Sequence, residues 1–390
     1  MEIVTLGDLF KISSGGTPSR REKSYYDNGD IPWIKTGDLH KVRIQQASEY
    51  ITQLGLDKSS AKLFPKDTVL LAMYGATIGA CSILDIEAAT NQACAAFVPN
   101  EKVDTNYLYY FLKSKKNDFI RDGVGGAQPN ISATYLKTVD FPLPPLETQK
   151  QIAAVLEKAD QLRKDCQQME QELNSLAQAV FIDMFGDPVT NPKGWDVGII
   201  GEMLSSANYG TSEKSSTEKK KFPVLRMNNI TYEGNWDFSA LKYMDMSKED
   251  ENKYLVKSGD ILFNRTNSKE LVGKTAVYRE ATSMAYAGYL VRARCNELAH
   301  PDYISSFMNS KYGKKTLQSM CKSIVGMANI NAKEFQKIKI AKPPVELQEK
   351  FAIRAAAIRT KVADVKQQEA EYNLLFNALM QKAFKGELNL

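Results

Sequence analysis

The sequence predicts an α+β protein made of two tandem mixed α/β domains, each followed by a long α-helix, with the two helices free to pair in a pseudo-twofold arrangement. Three observations predict it. The chain of 390 residues is written twice, PLPPLETQKQIAAVL at 142–156 returning as AKPPVELQEKFAIRA at 341–355. After each copy, apolar residues recur every seven positions, the signature of a helix that packs along one stripe. Before each copy lie short apolar runs bounded by Gly, Pro and Asn, which read as strands and turns.

The repeat is the most informative of the three. Pro144, Pro145, Glu147, Gln149 and Ala153 recur as Pro343, Pro344, Glu346, Gln348 and Ala352, an offset of 199 residues. Just upstream, GGAQPNIS at 125–132 resembles GMANIN at 326–331 with one residue deleted, and the offset sets Asn130 against Asn329. Farther back, Ile31-Pro32-Trp33-Ile34-Lys35 parallels Phe222-Pro223-Val224-Leu225-Arg226, and Lys66-Asp67-Thr68-Val69-Leu70 parallels Ser258-Gly259-Asp260-Ile261-Leu262. Each half therefore opens with a strand-containing globular part of about 140–150 residues, an ordinary domain size.

The helices follow from spacing. Between Glu147 and Met184 there is no Gly or Pro, and Ile152, Ala159, Cys166, Leu173 and Val180 keep a strict seven-residue period. Val155, Leu162, Met169 and Leu176 form a second stripe, as in a coiled-coil seam. At 1.5 Å per residue such a helix is about 57 Å long, a rod rather than a core helix. The second copy repeats one stripe through Phe351, Ile358, Val365, Tyr372 and Leu379, while the other shifts by one position to Ala355, Val362, Phe376 and Ala383. The two rods are thus similar without being interchangeable. Glu147 and Glu346 suit the positive end of the helix dipole, and the double prolines fix the chain where each helix begins.

Composition narrows the function classes. Hydrophobic residues make up 43% and charged residues 25%, the balance of a globular chain without a bilayer-spanning run. The start, MEIVTLGDLF, lacks the features of a secretory signal, which points to the cytoplasm. Cys81, Cys94, Cys166, Cys295 and Cys321 are scattered and never form CxxC; His40 and His300 have no ligand-spaced neighbour, and both read as surface residues. No metal site, cofactor site or catalytic residue is expected. A net charge of +5 and a pI near 8.7 permit nucleic-acid binding only through local arrangement. An enzyme fits poorly. The double prolines lack the preceding Asn or Asp and following aromatic of a base-flipping methyltransferase, and no Gly-rich strand-to-helix loop marks a cofactor. Asp245 with Glu251-Asn252-Lys253 has a nuclease-like spacing, but lies in a polar run where such spacings arise by chance.

With Pro-Leu-Pro-Pro-Leu-Glu-Thr-Gln and Pro-Pro-Val-Glu-Leu-Gln opening the helices, the layout resembles the specificity subunit of type I restriction-modification systems over nearly the whole chain. Val4-Thr5-Leu6-Gly7-Asp8-Leu9, Ser13-Ser14-Gly15-Gly16-Thr17-Pro18, Trp33-Ile34-Lys35-Thr36-Gly37-Asp38-Leu39 and Asn91-Gln92 look like the first target-recognition domain of that family. Asn191-Pro192-Lys193-Gly194-Trp195 looks like the start of the second. The resemblance implies that the helices pair as an antiparallel coiled coil and that each domain reads half of a bipartite double-stranded DNA target. It also implies two modification subunits, which bind S-adenosylmethionine and methylate adenine, and two restriction subunits, which translocate and cut. On this reading residues 1–145 and 187–342 are recognition domains, and 146–186 and 343–390 are spacer and assembly helices. Ala285-Tyr286-Ala287-Gly288-Tyr289 stands roughly where the first domain has Asn91-Gln92, so the two domains should read different bases.

Base edges are read by Arg, Lys, Asn and Gln, and phosphates are gripped by Lys, Ser and backbone amides. In the first domain the candidates are Arg20, Arg21, Lys35, Asn91, Gln92, Gln128 and Asn130, all beside turn-forming residues. In the second they are Arg226, Asn228, Asn229, Asn264, Arg265, Thr266, Asn267, Arg292 and Arg294, with Asn264 to Asn267 the densest cluster. Each has a plainer alternative, an exposed charge or a turn-stabilising amide. The rival for the whole chain is a scaffold whose two heads bind proteins, and salt separates the two, because phosphate contacts weaken log-linearly as salt rises.

Overall fold

The computed structural model describes residues 2–124, 130–324 and 327–388. The chain folds into two compact units, residues 1–166 with 368–390 and residues 167–367. Each unit therefore holds one globular head, the first half of the long helix that follows it and the last half of the other long helix. The long helices run Leu146–Phe185 and Val345–Lys385.

In the first unit a five-stranded sheet runs in the order Ser13–Ser14, Cys94–Phe97, Val69–Ala72, Cys81–Leu84, Arg43–Ile44. A four-stranded sheet runs Glu49–Ile51, Ile31–Ile34, Ala88–Thr90, Leu63–Phe64. Strand side chains alternate faces, and here both faces are covered. Val69 and Leu71 meet Tyr107, Phe111 and Leu112 of the helix Thr105–Ser114, whereas Leu70 and Ala72, with Leu84 of the neighbouring strand, meet Ile34 and Phe64 of the other sheet. This is why the strand reads as an unbroken apolar run. In the second unit Ile261 and Phe263 face Tyr303 and Phe307, and Leu262 faces Leu225, Ile230 and Tyr286, the same division.

The helix halves close each core. Ile152, Leu156 and Ala159 share the first core with Phe376, Met380 and Ala383; Phe181, Met184 and Phe185 share the second with Phe351 and Ala355. In each unit the beginning of one helix thus lies with the end of the other, so the halves run antiparallel. Burying a Phe of this kind stabilises by roughly 1.5–3 kcal/mol. The regular stripe of the first helix is buried at Ile152, Ala159 and Cys166, but Met169 and Leu176 of its second stripe remain 48% exposed. The shifted stripe of the second helix is buried, and its Phe376 lies 4.3 Å from Arg163 and 5.3 Å from Lys113, two cations on one ring.

The recurring Pro-Pro-x-Glu-x-Gln motif has a geometric cause. Fully buried Gln149 accepts from the Asp104 amide at 2.9 Å and donates to the Lys102 and Pro144 carbonyls, each at 2.9 Å. Gln348, equally buried, accepts from the His300 amide at 2.9 Å and donates to Leu298 at 3.1 Å and Pro343 at 2.8 Å. One carboxamide thereby ties the root of a long helix to the start of a head helix, matching two carbonyls and one amide that burial would otherwise orphan. Tyr107 and Tyr303 repeat the device with hydroxyls that donate to the Pro142 and Ala341 carbonyls at 2.9 and 2.8 Å. His300, expected at the surface, is the half-buried N-cap of the helix Pro301–Asn309.

Asn191-Pro192-Lys193-Gly194-Trp195 lies just beyond the first helix and folds back on its end. Gly186, at φ +83°, adopts the left-handed turn that stops it, and Trp195 Nε1 donates to the Phe185 carbonyl at 2.9 Å. Polar pairs brace each helix against its own head, with the signs exchanged. Asp160, 1% exposed, meets Lys113 at 3.3 Å, Arg163 at 3.0 Å and Lys164 at 2.9 Å, whereas at the repeat-equivalent place Arg359 meets Asp302 at 2.8 Å. Burial pushes the Asp160 carboxyl up, but the surrounding cations outweigh it and hold it below the usual carboxylate range. Among the described residues no helix is long and apolar enough to cross a membrane.

Candidate nucleic-acid interface

The loops that gather the predicted residues lie where a parallel strand pair ends. In the first unit Ile31–Ile34 and Ala88–Thr90 run side by side, Ile34 beside Thr90, and the Asn91 amide donates to the Ile34 carbonyl at 3.0 Å. The Gly15-Gly16 turn crosses this end, the Gly16 amide donating to the Thr90 carbonyl at 2.9 Å. A Cβ on Gly15 would lie 1.9 Å from that carbonyl oxygen, so only glycine fits. Thr17, Arg20, Lys35, Asn91 and Gln92 are thereby brought into one loop cluster.

Their contacts are specific. Arg20 lies over the rings of Tyr26 and Trp33 at 4.5 and 5.0 Å and grips Glu49 through both guanidinium nitrogens at 3.1 and 2.7 Å. Lys35 Nζ reaches the same carboxylate at 3.3 Å. The hydrogen bonds from Arg20, and then Lys35, hold the Glu49 carboxyl below its ordinary range. The Thr17 hydroxyl donates to Gln92 Oε1, and Asn91 Oδ1 accepts from the Ala93 amide at 3.2 Å, a turn bond. Arg21 is exposed. Asn130, also exposed, pairs through its backbone with Val124 at 2.9 and 3.0 Å and bridges to Tyr74. Gln128 lies outside the described residues.

The second unit repeats the backbone. Phe222–Leu225 and Ala285–Tyr286 form the parallel pair, the Ala287 amide donates to Leu225 at 2.9 Å, and the Thr211 amide donates to Tyr286 at 2.9 Å. A Cβ on Gly210 would lie 2.3 Å from the Tyr286 carbonyl oxygen, which gives it the role of Gly15. These bonds place Ala287 and Gly288 at the positions of Asn91 and Gln92. Asn130 and Asn329 also match, since Tyr74 bridges one and Thr266 pairs with the other.

The side chains differ. Arg226 donates to the Ala240 carbonyl at 2.8 Å, and Asn228 beside it is exposed. Arg265 lies over the ring of Tyr209 at 4.9 Å and donates to the Gly288 carbonyl at 3.3 Å. Asn267 is half-buried, its carboxamide accepting from the Ser268 amide at 2.9 Å. Other predicted residues lie inside the head instead of on the loop surface the sequence pointed to. Asn229 accepts from the Arg226 amide at 2.9 Å and donates to Asp237 at 2.8 Å, a buried bracket for the loop. Asn264 is fully buried, its Oδ1 turned to the Thr266 amide at 3.3 Å, because it ends a strand covered on both faces. Thr266 is 7% exposed. Arg292 and Arg294 sit toward the other end of the sheet, beside Asp260 at 3.8 and 2.7 Å, and Arg292 is 4% exposed.

Sequence reasoning missed Tyr209, the platform under Arg265, and Glu49, which neutralises two candidate cations. Tyr209 immediately precedes the Gly210 turn, and aligning it with Ser14 would have marked the place. The thiols of Cys81, Cys94 and Cys295 are pushed up to about 12 by burial, far from a reactive thiolate. No cluster of three or more His, Cys, Asp or Glu suited to a metal occurs among the described residues.

Two strand-rich heads, each rooted in a long helix and each ending in a loop cluster of amides and cations, define a two-headed nucleic-acid reader. Over residues 1–175 and 192–369 the chain matches the type I restriction modification DNA specificity domain, and it belongs to that family. Members recognise a DNA target through two domains, and this chain contains both. It is similar to the type I restriction enzyme EcoKI specificity subunit of Escherichia coli strain K12, 24% identical over an alignment of 400 positions that covers 96% of this chain and 86% of that protein. The type I restriction enzyme MjaIX specificity subunit of Methanocaldococcus jannaschii is 30% identical over 251 residues, spanning 59% of this chain and 58% of that protein. Among solved structures, the type I restriction-modification S subunit from M. genitalium shares the fold, with a TM-score of 0.59 at 15% identity over 98% of this chain and 96% of that one. A chain from a study of complex assembly and conformational transition of the type I R-M system gives 0.61 at 18% identity over 99% and 98%.

Proposed function

We propose that this chain is the non-catalytic, DNA-reading subunit of a type I DNA adenine methyltransferase and restriction endonuclease complex, acting in the cytoplasm. Residues 1–145 and 187–342 serve as target-recognition domains, and 146–186 with 343–390 as the spacer and assembly region. Each domain reads one half of a bipartite target, and two modification and two restriction subunits assemble on the chain. The observation that carries this reading is the loop cluster itself, built twice on the same backbone bonds and furnished with different side chains. Exposed apolar residues along the helices, among them Ile353 and Leu374 at 71% and 73%, support an assembly role.

In this reading Arg20, Arg21, Lys35, Asn91, Gln92, Gln128 and Asn130 of the first domain face DNA, as do Arg226, Asn228, Arg265 and Asn267 of the second. Asn229, Asn264, Thr266, Arg292 and Arg294 hold the strands and loops that present them. The test is to co-express the chain with its modification subunit and map methylated adenines across the host genome. A two-part motif with a fixed gap is the expected result. An assembled complex that leaves no new methylation would sink the reading and favour a protein scaffold, as would binding insensitive to salt.

A further inference from the structure

We propose that Arg265 reads a guanine in the half-site of the second domain, an inference that rests on the reading of the chain as a two-headed DNA reader. The first observation is which arginines retain an uncompensated charge. In the second unit Arg279 and Arg359 meet Asp302, and Arg292 and Arg294 meet Asp260. Among the described residues Arg265 and Arg226 of this loop cluster have no carboxylate within ion-pair distance, and of the two only Arg265 also lies over an aromatic ring.

The second observation is orientation. A guanidinium is planar, and pairing with guanine O6 and N7 demands that the plane be aimed before the base arrives. The ring of Tyr209, 44% exposed, lies 4.9 Å below the Arg265 guanidinium, and one Nη donates to the Gly288 carbonyl at 3.3 Å. Neither contact neutralises the charge, and Nε is buried without a hydrogen-bond partner among the described residues. Gly288 presents a backbone carbonyl where the first domain carries the side chain of Gln92. Tyr289, 53% exposed, flanks it.

The third observation is that the first domain lacks this device. Its equivalent of Arg265 is Met73, whose carbonyl accepts from the Ile131 amide at 3.0 Å as that of Arg265 accepts from Ile330 at 2.9 Å. Its equivalent of Tyr209 is Ser14, which pairs with Ala95 as Tyr209 pairs with Val291. The cation and its platform are therefore present together in one domain and absent together from the other. The guanine contact made by this device therefore belongs to the second half-site.

The experiment uses the chain assembled with its modification subunit, comparing methylomes of the parent, Arg265→Lys and Arg265→Gln. The expected parental motif has a G·C pair in one half-site. Both variants then lose preference for that pair by roughly tenfold or more while the other half-site is unchanged. Damage to folding would instead lower methylation with the motif intact, so the parental complex is also tested on duplexes carrying 7-deazaguanine at each guanine in turn. Loss of N7 at one position should weaken binding several-fold. The proposal is overturned by a half-site without a G·C pair, by an unchanged motif in Arg265→Lys, by uniform weakening of the kind a phosphate contact gives, or by indifference to every 7-deazaguanine. An assembled parental complex that yields no two-part motif removes the underlying reading itself, which separates the two failures.

Discussion

The helix roots and the loop clusters of the two units differ in what the repeat preserves. At the roots Gln149 and Gln348 make the same three hydrogen bonds to equivalent backbone groups, and the side chain is identical. At the loops the backbone bonds are again the same, but Gln92 gives way to Gly288, Met73 to Arg265 and Ser14 to Tyr209. Buried backbone groups accept few solutions, because an orphaned donor or acceptor costs about 1–3 kcal/mol. A loop that faces outward can change its side chains without that penalty and so can carry a different specificity in each half.

The largest expected effect breaks both halves at once. Val365 is 5% exposed on the second helix, and Val365→Asp buries a charge without a partner. Methylation should be lost at every site, with both half-sites failing together; loss confined to one half-site would show that the paired helices do not serve both domains. Next come the twin glutamines. Gln149→Ala and Gln348→Ala should each cost about 1–3 kcal/mol in urea unfolding, and by similar amounts, since each strands one amide and two carbonyls. A large effect at one and none at the other would mean that the shared motif does different work in the two units.

A pH dependence should distinguish the units further. His300 caps its helix as a neutral acceptor, taking the Asp302 amide at 3.2 Å, and burial lowers its pKa even though the Asp302 carboxylate pulls the other way. Because the unfolded chain binds the proton more readily, stability is full above the ordinary histidine pKa and declines as pH falls through that value toward the lowered one. The first unit has Asp104 and not a histidine at the same place, accepting from the Tyr107 amide at 2.9 Å. Thermal melts between pH 8 and pH 5.5 should show the loss in the parent and a flatter profile in His300→Asn. The smallest effect is Glu49→Gln, which frees Arg20 and Lys35 from a half-buried carboxylate. Stability should change by less than about 1 kcal/mol, while the salt dependence of DNA binding steepens; an unchanged slope would place those cations off the DNA.

Sequence alone settled the repeat, the two rods and the two-headed layout, because periodicity and local turn chemistry are written in neighbouring residues. It also located the loop that starts at Asn91 and the one that surrounds Arg265. It did not separate Asn264, fully buried, from Asn267, three residues on and half-exposed, since both are Asn beside a strand and burial depends on what covers the strand. Nor did it distinguish Arg292 and Arg294, held by Asp260, from Arg265, which no carboxylate meets among the described residues. Those distinctions rest on contacts between residues tens of positions apart. Tertiary structure decides them because charge compensation and desolvation act across space, whatever the separation along the chain.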